Sequence, residues 1–436
     1  MKKLQQIFLI VSMLAAFGLI AGIIMQNECL YKSAAAVTAI SLAIGLGAVT
    51  SLKGYQYTAW IAAAVVAGMM FPGAFTTWGG INLRDKTLIL IIIQLVMFGM
   101  GTHMSLKDFS GIASTGKGVL VGLFCHFSIM PLMGLLLTKI FHFEAEIAAG
   151  IILIGSCSSG LASNVMVYLA RANLVLSVIV TAMATMAAPF LTPLLMKLLA
   201  GTLIEVKFVD MMIEIIKIVL VPIGAALLHD YLKSATAAQK KKVYIISGLC
   251  ALWLLVVIFV LQNNITDHAL QQSVVLSGFF AGAFIAGVVY HFLYRRFPKL
   301  DNIMPLISMF GIIYFTTVTT AAGRENLMKV GLLLFMASVI HNAAGYFFGY
   351  WLSRLFGMDK NSSRTIAFEV GLQNGGMASG IAGSMGKLGT VGLAAAVFSP
   401  WMNISGSILA NYWRRKPVDD NKINFKKIKV DNVVTS

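Results

Sequence analysis

Charge is what this sequence has least of. Asp, Glu, Lys and Arg make up 11% of its 436 residues, and only seventeen are acidic. A soluble domain carries roughly a quarter charged residues, so the chain lacks the polar surface that a soluble protein of this length needs. Cysteine is scarce as well. Cys29, Cys125, Cys157 and Cys250 show no metal-ligand spacing and lie mostly in apolar segments, where they read as packing residues. Also missing are a nucleophile with its base, a metal cluster and a phosphate-binding loop, which argues against a membrane-embedded enzyme.

What is present is hydrophobic. Such residues make up 58% of the chain and mean hydropathy is +0.85, the signature of a polytopic membrane protein. Fourteen apolar segments have about the twenty residues needed to cross a bilayer. They cover approximately 7–26, 34–51, 57–75, 87–104, 117–140, 147–170, 174–200, 208–229, 242–261, 272–293, 304–321, 328–355, 362–385 and 389–412. The first follows Met1-Lys2-Lys3 in the manner of a signal peptide. Its apolar run is long for one, and no small-x-small cleavage site follows in "IIMQNECLYK".

Basic residues sort by loop. With the N-terminus inside, the even connections hold Lys53; Lys107 and Lys117; Arg171; Lys233 and Lys240 to Lys242; Arg295, Arg296 and Lys299; and Arg354, Lys360 and Arg364. The odd connections are poorer, with Lys32, Arg84, Lys86, Lys207, Arg324, Lys329 and Lys387. The tail "RRKPVDDNKINFKKIK" then also falls inside, and the positive-inside rule puts both termini in the cytoplasm. Inner loops facing an anionic membrane explain the net charge of +16, without any nucleic-acid signal. The "MKK" start and the lack of eukaryotic targeting features fit a bacterial inner membrane.

Fourteen segments divide into two sevens of opposite orientation, 1–204 and 205–413, with a basic tail at 414–436. Inverted repeats of this kind are found in secondary transporters. An ungapped shift of Cys125–Gly160 by 215 residues pairs His126 with His341, Gly134 with Gly349, Lys139 with Arg354, Phe141 with Phe356 and Gly160 with Gly375. The same shift brings "SCSSGLASN", Ser156 to Asn164, onto the glycine-rich stretch after Glu369. Paired interrupted segments are the best sequence pointer to a transport site, and shared apolar composition is the bland alternative.

The second stretch, "EVGLQNGGMASG", opens with Glu369 inside an apolar segment and has four glycines in a dozen residues. Glycine weakens a helix. Backbone that leaves the helix in lipid must find partners within the protein, so it lines a cavity or binds something. A carboxylate there is costly unless neutralised, and a sodium ion would neutralise it. Hard cations take oxygen ligands. Ser163 and Asn164 supply them at the first break, and Ser177 and Thr181 lie four apart on the next helix. Bonding of those two hydroxyls to their own helix carbonyls is the alternative. Glu214 and Lys217 form an i,i+3 pair near an interface, with a functional role as the other reading.

The segments "GLASNVMVYLARANLVLSVIVT", "IHNAAGYFFGYWLSRLFG", "TIAFEVGLQNGGMASGIAG" and "FSPWMNISGSILANYW" occur in an order and spacing that resemble the bile acid:sodium symporter family, from about Tyr57 onward. The resemblance implies an all-α fold of ten core helices in two inverted five-helix repeats. It divides them into a panel domain, here about 1–104 plus 205–322, and a core domain, about 117–200 plus 328–412. Segments two with three and nine with ten are then inserted pairs. Two discontinuous helices would cross in the core and bind two sodium ions beside the substrate. The first site would use Ser163, Asn164, Ser177, Thr181 and Glu369. The second would use Glu369, carbonyls near Val370 and Leu372, and Gln373. An organic anion would lie against Ser159, Gly160, Leu161, Asn374, Gly375, Gly376 and Asn403.

The sequence departs from the family pattern at three places. His126 stands in "HFSIMP" where the family has a glutamine of the second sodium site. Imidazole is a poor sodium ligand, so that site is weakened, a proton replaces the ion, or His126 is a hydrogen-bonded core residue. Leu161 replaces a threonine, the break lacks a proline, and Met402 replaces a histidine, which makes the pocket less polar. The expected function is sodium-coupled import of an organic anion such as a bile acid or small carboxylate. A sodium/proton antiporter, a proton-coupled organic anion transporter and a ligand sensor are the alternatives, and no protein partner is expected.

Overall fold

The computed structural model describes residues 2–49, 52, 55–106, 112–261 and 267–418. Lys53, Lys107 and the tail beyond residue 418 lie outside them. The described chain is all-α apart from one small hairpin. Its helices are α1 (Lys2–Ile24), α2 (Glu28–Gly45), α3 (Gln56–Met70), α4 (Lys86–Gly101), α5 (Ile112–Phe141), α6 (Ala145–Ser156), α7 (Leu161–Leu169) and α8 (Leu174–Ala200). The second half has α9 (Phe208–Ile215), α10 (Val221–Ser234), α11 (Ala237–Val256), α12 (His268–Arg296), α13 (Leu300–Ala322), α14 (Arg324–Leu355), α15 (Lys360–Gly371), α16 (Gly375–Ser384) and α17 (Leu393–Arg414). A π-helical turn, Ile216–Leu220, joins α9 to α10.

Within the described residues, every apolar segment read from the sequence lies mainly on one helix or on two successive ones. Among the described residues, ten helical runs are long and apolar enough to cross a membrane: α1, α2, α5, α8, α9 with α10, α11, α12, α13, α14 and α17. Helices α3, α4 and α6 are shorter apolar ones. The protein is therefore a multi-pass membrane protein. Segments 147–170 and 362–385 are broken by non-helical residues, into α6 and α7 and into α15 and α16, whereas 208–229 runs on through its π turn.

Local chemistry sets the boundaries. Asn27 caps α2 by accepting from the Leu30 N–H, and the Glu28–Lys32 pair follows at 2.5 Å, so α2 starts before its apolar run. Asp85, Asn173, Asp359 and Asn374 cap α4, α8, α15 and α16, while Thr236 and Gln239 form a reciprocal capping box on α11. After α3, a two-residue turn at Gly79 and Gly80, φ 57° and 83°, closes the hairpin of β1 (Thr77–Trp78) and β2 (Ile81–Asn82). Positive φ at both turn residues is what such a hairpin requires.

Helices α5, α8, α14 and α17 pack with the split pairs α6/α7 and α15/α16 around the two breaks. A second group, α3, α4, α9 with α10, and α13, meets this bundle through α4 and α13 against α16 and α8 against α9. Helix α1 lies along α2 and α2 along α3, while α11 and α12 pack together with α12 on α10. Apolar side chains of α1, among them Leu4, Ile10, Phe17 and Ile24, are exposed, as lipid-facing residues are. Asp301 fastens α13 to its neighbours, accepting from Tyr290 Oη at 2.9 Å and Lys233 Nζ at 2.8 Å.

Glycine lets α5 and α14 come close to the half-helices. A Cβ on Gly134 would lie 3.1 Å from the Ile151 carbonyl of α6, and one on Gly349 would lie 3.0 Å from Val370 Cβ of α15. These are two of the residues that the 215-residue shift pairs. Among the glycines of α5 and α14 the shortest approach is that of Gly345, whose Cβ would stand 2.7 Å from Met130 Sδ and 2.8 Å from Gly371 Cα. Gly345→Val should therefore destabilise the protein by about 1–3 kcal/mol, the usual cost of overpacking. Gly248 has open space around it, and Gly248→Val should change stability by about 0.5 kcal/mol at most. Thermal unfolding of both variants in detergent measures the difference.

Candidate functional site

Four carbonyls at the end of α15 leave the helix ladder, and each receives a donor from elsewhere. Glu369 O meets His126 Nδ1 at 2.9 Å, and Val370 O accepts from Gln373 Nε2 at 2.6 Å. Gly371 O accepts from Asn342 Nδ2 of α14 at 2.7 Å, and Leu372 O from the Gly160 N–H at 3.1 Å. The first break is completed in the same way. Ser156 O accepts from Thr192 Oγ1 at 2.7 Å, Cys157 O meets His126 Nε2 at 2.8 Å, and Ser158 O accepts from the Asn374 N–H at 2.8 Å.

The two breaks are thus partners of one another. Ser159 and Gln373 form an isolated antiparallel bridge, closed by the Gly160 and Asn374 amide bonds. Two further ties hold the half-helices. Lys387 pairs with Glu146 at the start of α6, and Thr365 Oγ1 of α15 accepts from the Asn173 N–H at 2.9 Å.

The Glu369 side chain is fully buried beside this junction. Ser159 Oγ lies 2.6 Å and Thr181 Oγ1 2.8 Å from its Oε2, and Ser177 Oγ lies 2.5 Å from Oε1. Asn164 Oδ1 faces the same hydroxyls, at 2.7 Å from Ser177 and 3.2 Å from Thr181. Ser163 Oγ is 3.4 Å from Thr181 Oγ1 and donates to Gly160 O at 2.8 Å. Ser177 has one hydroxyl hydrogen for two acceptors, and Thr181 is in the same position. Acceptors outnumber donors in a cluster made of oxygen, which is a donor set suited to a hard cation.

The structure brings Ser163, Asn164, Ser177, Thr181 and Glu369 together. Ser159, read from the sequence as substrate-facing, has its hydroxyl on the carboxylate. Of the second group, Val370 and Leu372 carbonyls are engaged by Gln373 and Gly160, and Gln373 Oε1 is buried with no hydrogen-bond partner among the described residues. Asn374 caps α16 through Met377 N at 3.0 Å. Gly375 lies against Ser399, and a Cβ on Gly376 would approach Val96 of α4 at 3.7 Å and Ile312 of α13 at 3.8 Å. Leu161 packs on the apolar core, Asn403 Nδ2 donates to Ser399 O at 2.8 Å, and Met402 Sδ accepts from the Gln373 N–H at 3.3 Å.

Sequence reasoning missed Asn342, which caps Gly371, and Thr192, which caps Ser156. Each is a polar residue within an apolar helix, a pattern that marks internal partners. A cavity of about 510 Å³ lies elsewhere, between α4, α10, α11 and α12, lined by Gln94, Phe98, Phe279 and Gly282 among others.

The sodium bile acid symporter family matches residues 90–268. The chain is 32% identical over 369 residues to an uncharacterized sodium-dependent transporter, YocS, of Bacillus subtilis (strain 168), covering 84% of this chain and 94% of that one. It is 27% identical over 357 residues to a probable chloroplastic sodium/metabolite cotransporter, BASS1, of Arabidopsis thaliana, covering 82% and 72%. It is also 26% identical over 295 residues to the ileal sodium/bile acid cotransporter of Homo sapiens, covering 66% and 67%.

Removing a donor from a buried acceptor costs about 1–3 kcal/mol. Ser177→Ala should lower stability by that amount, because Glu369 Oε1 loses its hydroxyl. In the Glu369→Leu background the same substitution should cost less. A double-mutant cycle of unfolding midpoints measures the coupling.

Proposed function

The chain belongs to the sodium bile acid symporter family, and from that premise we propose that it imports an organic anion by sodium-coupled symport. The observation that carries this reading is the buried Glu369 carboxylate, surrounded by hydroxyl and amide oxygens where two broken helices meet. One sodium ion at Glu369, Asn164, Ser163, Ser177 and Thr181 neutralises a charge that is otherwise costly in lipid. A second cation would take Gln373, whose Oε1 is buried, with the carbonyls of Val370 and Leu372, which here accept from Gln373 and Gly160.

Helices α7 and α16 both begin at the junction, so their N-terminal dipole ends suit an anion near Gly160, Leu161, Asn374, Gly375 and Gly376, with Asn403 beside them. The names of the human and Arabidopsis relatives suggest a bile acid or a small metabolite as that anion. Alternating access has the bundle around the breaks moving against the α3, α4, α9–α10 and α13 group as core and panel. All fourteen segments cross the membrane in two inverted repeats, with both termini cytoplasmic and the protein in an inner membrane. We place the first added pair at α1–α2 rather than at segments two and three, because α3 packs on α13, and the second pair at α11–α12. Sodium/proton antiport is the second reading, favoured by His126 touching the Glu369 carbonyl.

The test is uptake of radiolabelled taurocholate, pantoate and pyruvate into proteoliposomes with and without an inward sodium gradient. Sodium-dependent uptake of at least one is expected. Breaking a buried charge pair costs about 3 kcal/mol or more, so Glu369→Gln should weaken the sodium dependence by roughly a hundredfold. Uptake indifferent to sodium, or to this substitution, would refute the assignment.

A further inference from the structure

Helices α11 and α12 contain no acidic residue, and their Lys and Arg side chains all lie at one end of the pair. The two helices run antiparallel. Tyr244 stacks on Phe292 with ring centroids 5.2 Å apart near that end, and Trp253 Nε1 donates to Ser277 Oγ at 3.0 Å toward the other. Lys240, Lys241 and Lys242, near the start of α11, therefore meet Arg295 and Arg296 in the last turn of α12. The dipole of α11 favours an anion at its start, so the three lysines do not serve the helix itself.

An open cavity of about 500 Å³ lies at this end, lined by Ala237, Lys240, Lys241, Tyr244 and Ile245 of α11 and Arg295 of α12. On α11 the lining residues follow the i, i+3, i+4, i+7 spacing of a single helix face. Three cations thus border the cavity, and no acid does. Among the described residues none of the three has a carboxylate partner. Lys233 of α10 provides the contrast, since Asp301 of α13 takes its charge at 2.8 Å. Tyr244 adds a second, independent signal. Its Oη is buried with no hydrogen-bond partner among the described residues, which is costly for a phenol that can donate. Below the cations the same side of α11 continues as Ile245, Leu249 and Leu252, all exposed and four or three residues apart.

We propose that this cavity binds the headgroup of an anionic membrane phospholipid. Its phosphate oxygens accept from Lys240, Lys241, Arg295 and Tyr244 Oη, and an acyl chain lies along Ile245, Leu249 and Leu252. Charge complementarity selects the occupant, because basic pockets between transmembrane helices suit anionic headgroups and a lipid brings its own apolar chain to the exposed stripe. On the orientation proposed above, this end faces the cytoplasm and the anionic leaflet. The positive-inside rule by itself explains cations at that end. It requires neither their convergence on one cavity nor a buried hydroxyl that lacks an acceptor. Helix α12 also packs on α10, so a lipid held here would anchor to the bilayer the helices proposed as the panel.

The test uses the full-length protein in a neutral detergent, titrated with phosphatidylglycerol or with phosphatidylcholine of the same acyl chains. Native mass spectrometry gives the dissociation constant of the first lipid bound, and thermal unfolding gives the accompanying shift in midpoint. Phosphatidylglycerol should bind more tightly than phosphatidylcholine and raise the midpoint. Replacing Lys240, Lys241 and Arg295 together by Gln should weaken phosphatidylglycerol on the order of a hundredfold, at about fivefold for each charge. The control replaces Arg414, Arg415 and Lys416 by Gln, removing as many charges from exposed positions at the end of α17, and should leave the constant within about twofold. Tyr244→Phe should weaken the same lipid by roughly tenfold. Its midpoint without lipid should stay at or above that of the natural protein, which shows that the variant folds, because only an unpartnered hydroxyl is lost.

Equal loss in the pocket variant and the control would overturn the proposal in favour of general attraction to charge. So would equal binding of the two lipids, or phosphatidylglycerol binding that Tyr244→Phe leaves unchanged. Inorganic phosphate that raised the midpoint as far as phosphatidylglycerol would make the ligand a soluble anion and overturn the lipid assignment. Neither measurement involves sodium or transport, so the outcome stands apart from the symport reading.

Discussion

Two backbone hydrogen bonds, from the Gly160 amide to Leu372 O and from the Asn374 amide to Ser158 O, hold the two broken helices together. Breaking a helix in lipid exposes carbonyls and amides that have no water to bind, each at a cost of several kcal/mol. One broken helix would carry that cost alone. Two breaks placed side by side complete one another, and the remaining carbonyls are taken by His126, Asn342, Gln373 and Thr192. The small residues of "SCSSG" and "QNGG" leave room for main chain to meet main chain.

The side-chain chemistry depends on that pairing. Glu369 is in the last turn of α15, and its position is set once the break after it is docked against the first. Ser159 comes from the other break, Ser163 and Asn164 from α7, and Ser177 and Thr181 from α8. The carboxylate therefore gathers ligands from three elements of the first half of the chain onto one from the second. Any movement that separated the breaks would also dismantle the oxygen cluster. On the proposed reading, a cation held by this cluster would share one equilibrium with the relative placement of the half-helices.

Tolerance to change should rise with distance from the junction. Near it, Gly134, Gly345 and Gly349 hold α5 and α14 within backbone distance of the half-helices, and few side chains could be added without displacing main chain. At the periphery, α1 presents apolar side chains to lipid on several faces, where hydrophobicity matters more than shape. The hairpins α1–α2 and α11–α12 thus add area without adding to the site.

The helical architecture was legible because lipid imposes it: apolar runs of about twenty residues have no other means of satisfying their backbone. The two breaks were legible for the converse reason, since glycine and polar residues in such runs signal backbone that needs other partners. Glu369, Asn164, Ser177 and Thr181 could be grouped because buried charge demands oxygen or opposite charge. What the linear pattern could not convey was pairing across the fold. That Ser159 bonds the carboxylate, that Asn342 and Thr192 cap breaks on other helices, and that His126 touches both breaks depend on contacts 29 to 243 residues apart. Hydropathy and propensity act along the chain, over a turn or a span, so they specify which groups need partners. Which partners they find is decided only when the helices pack, because hydrogen bonds are short and directional.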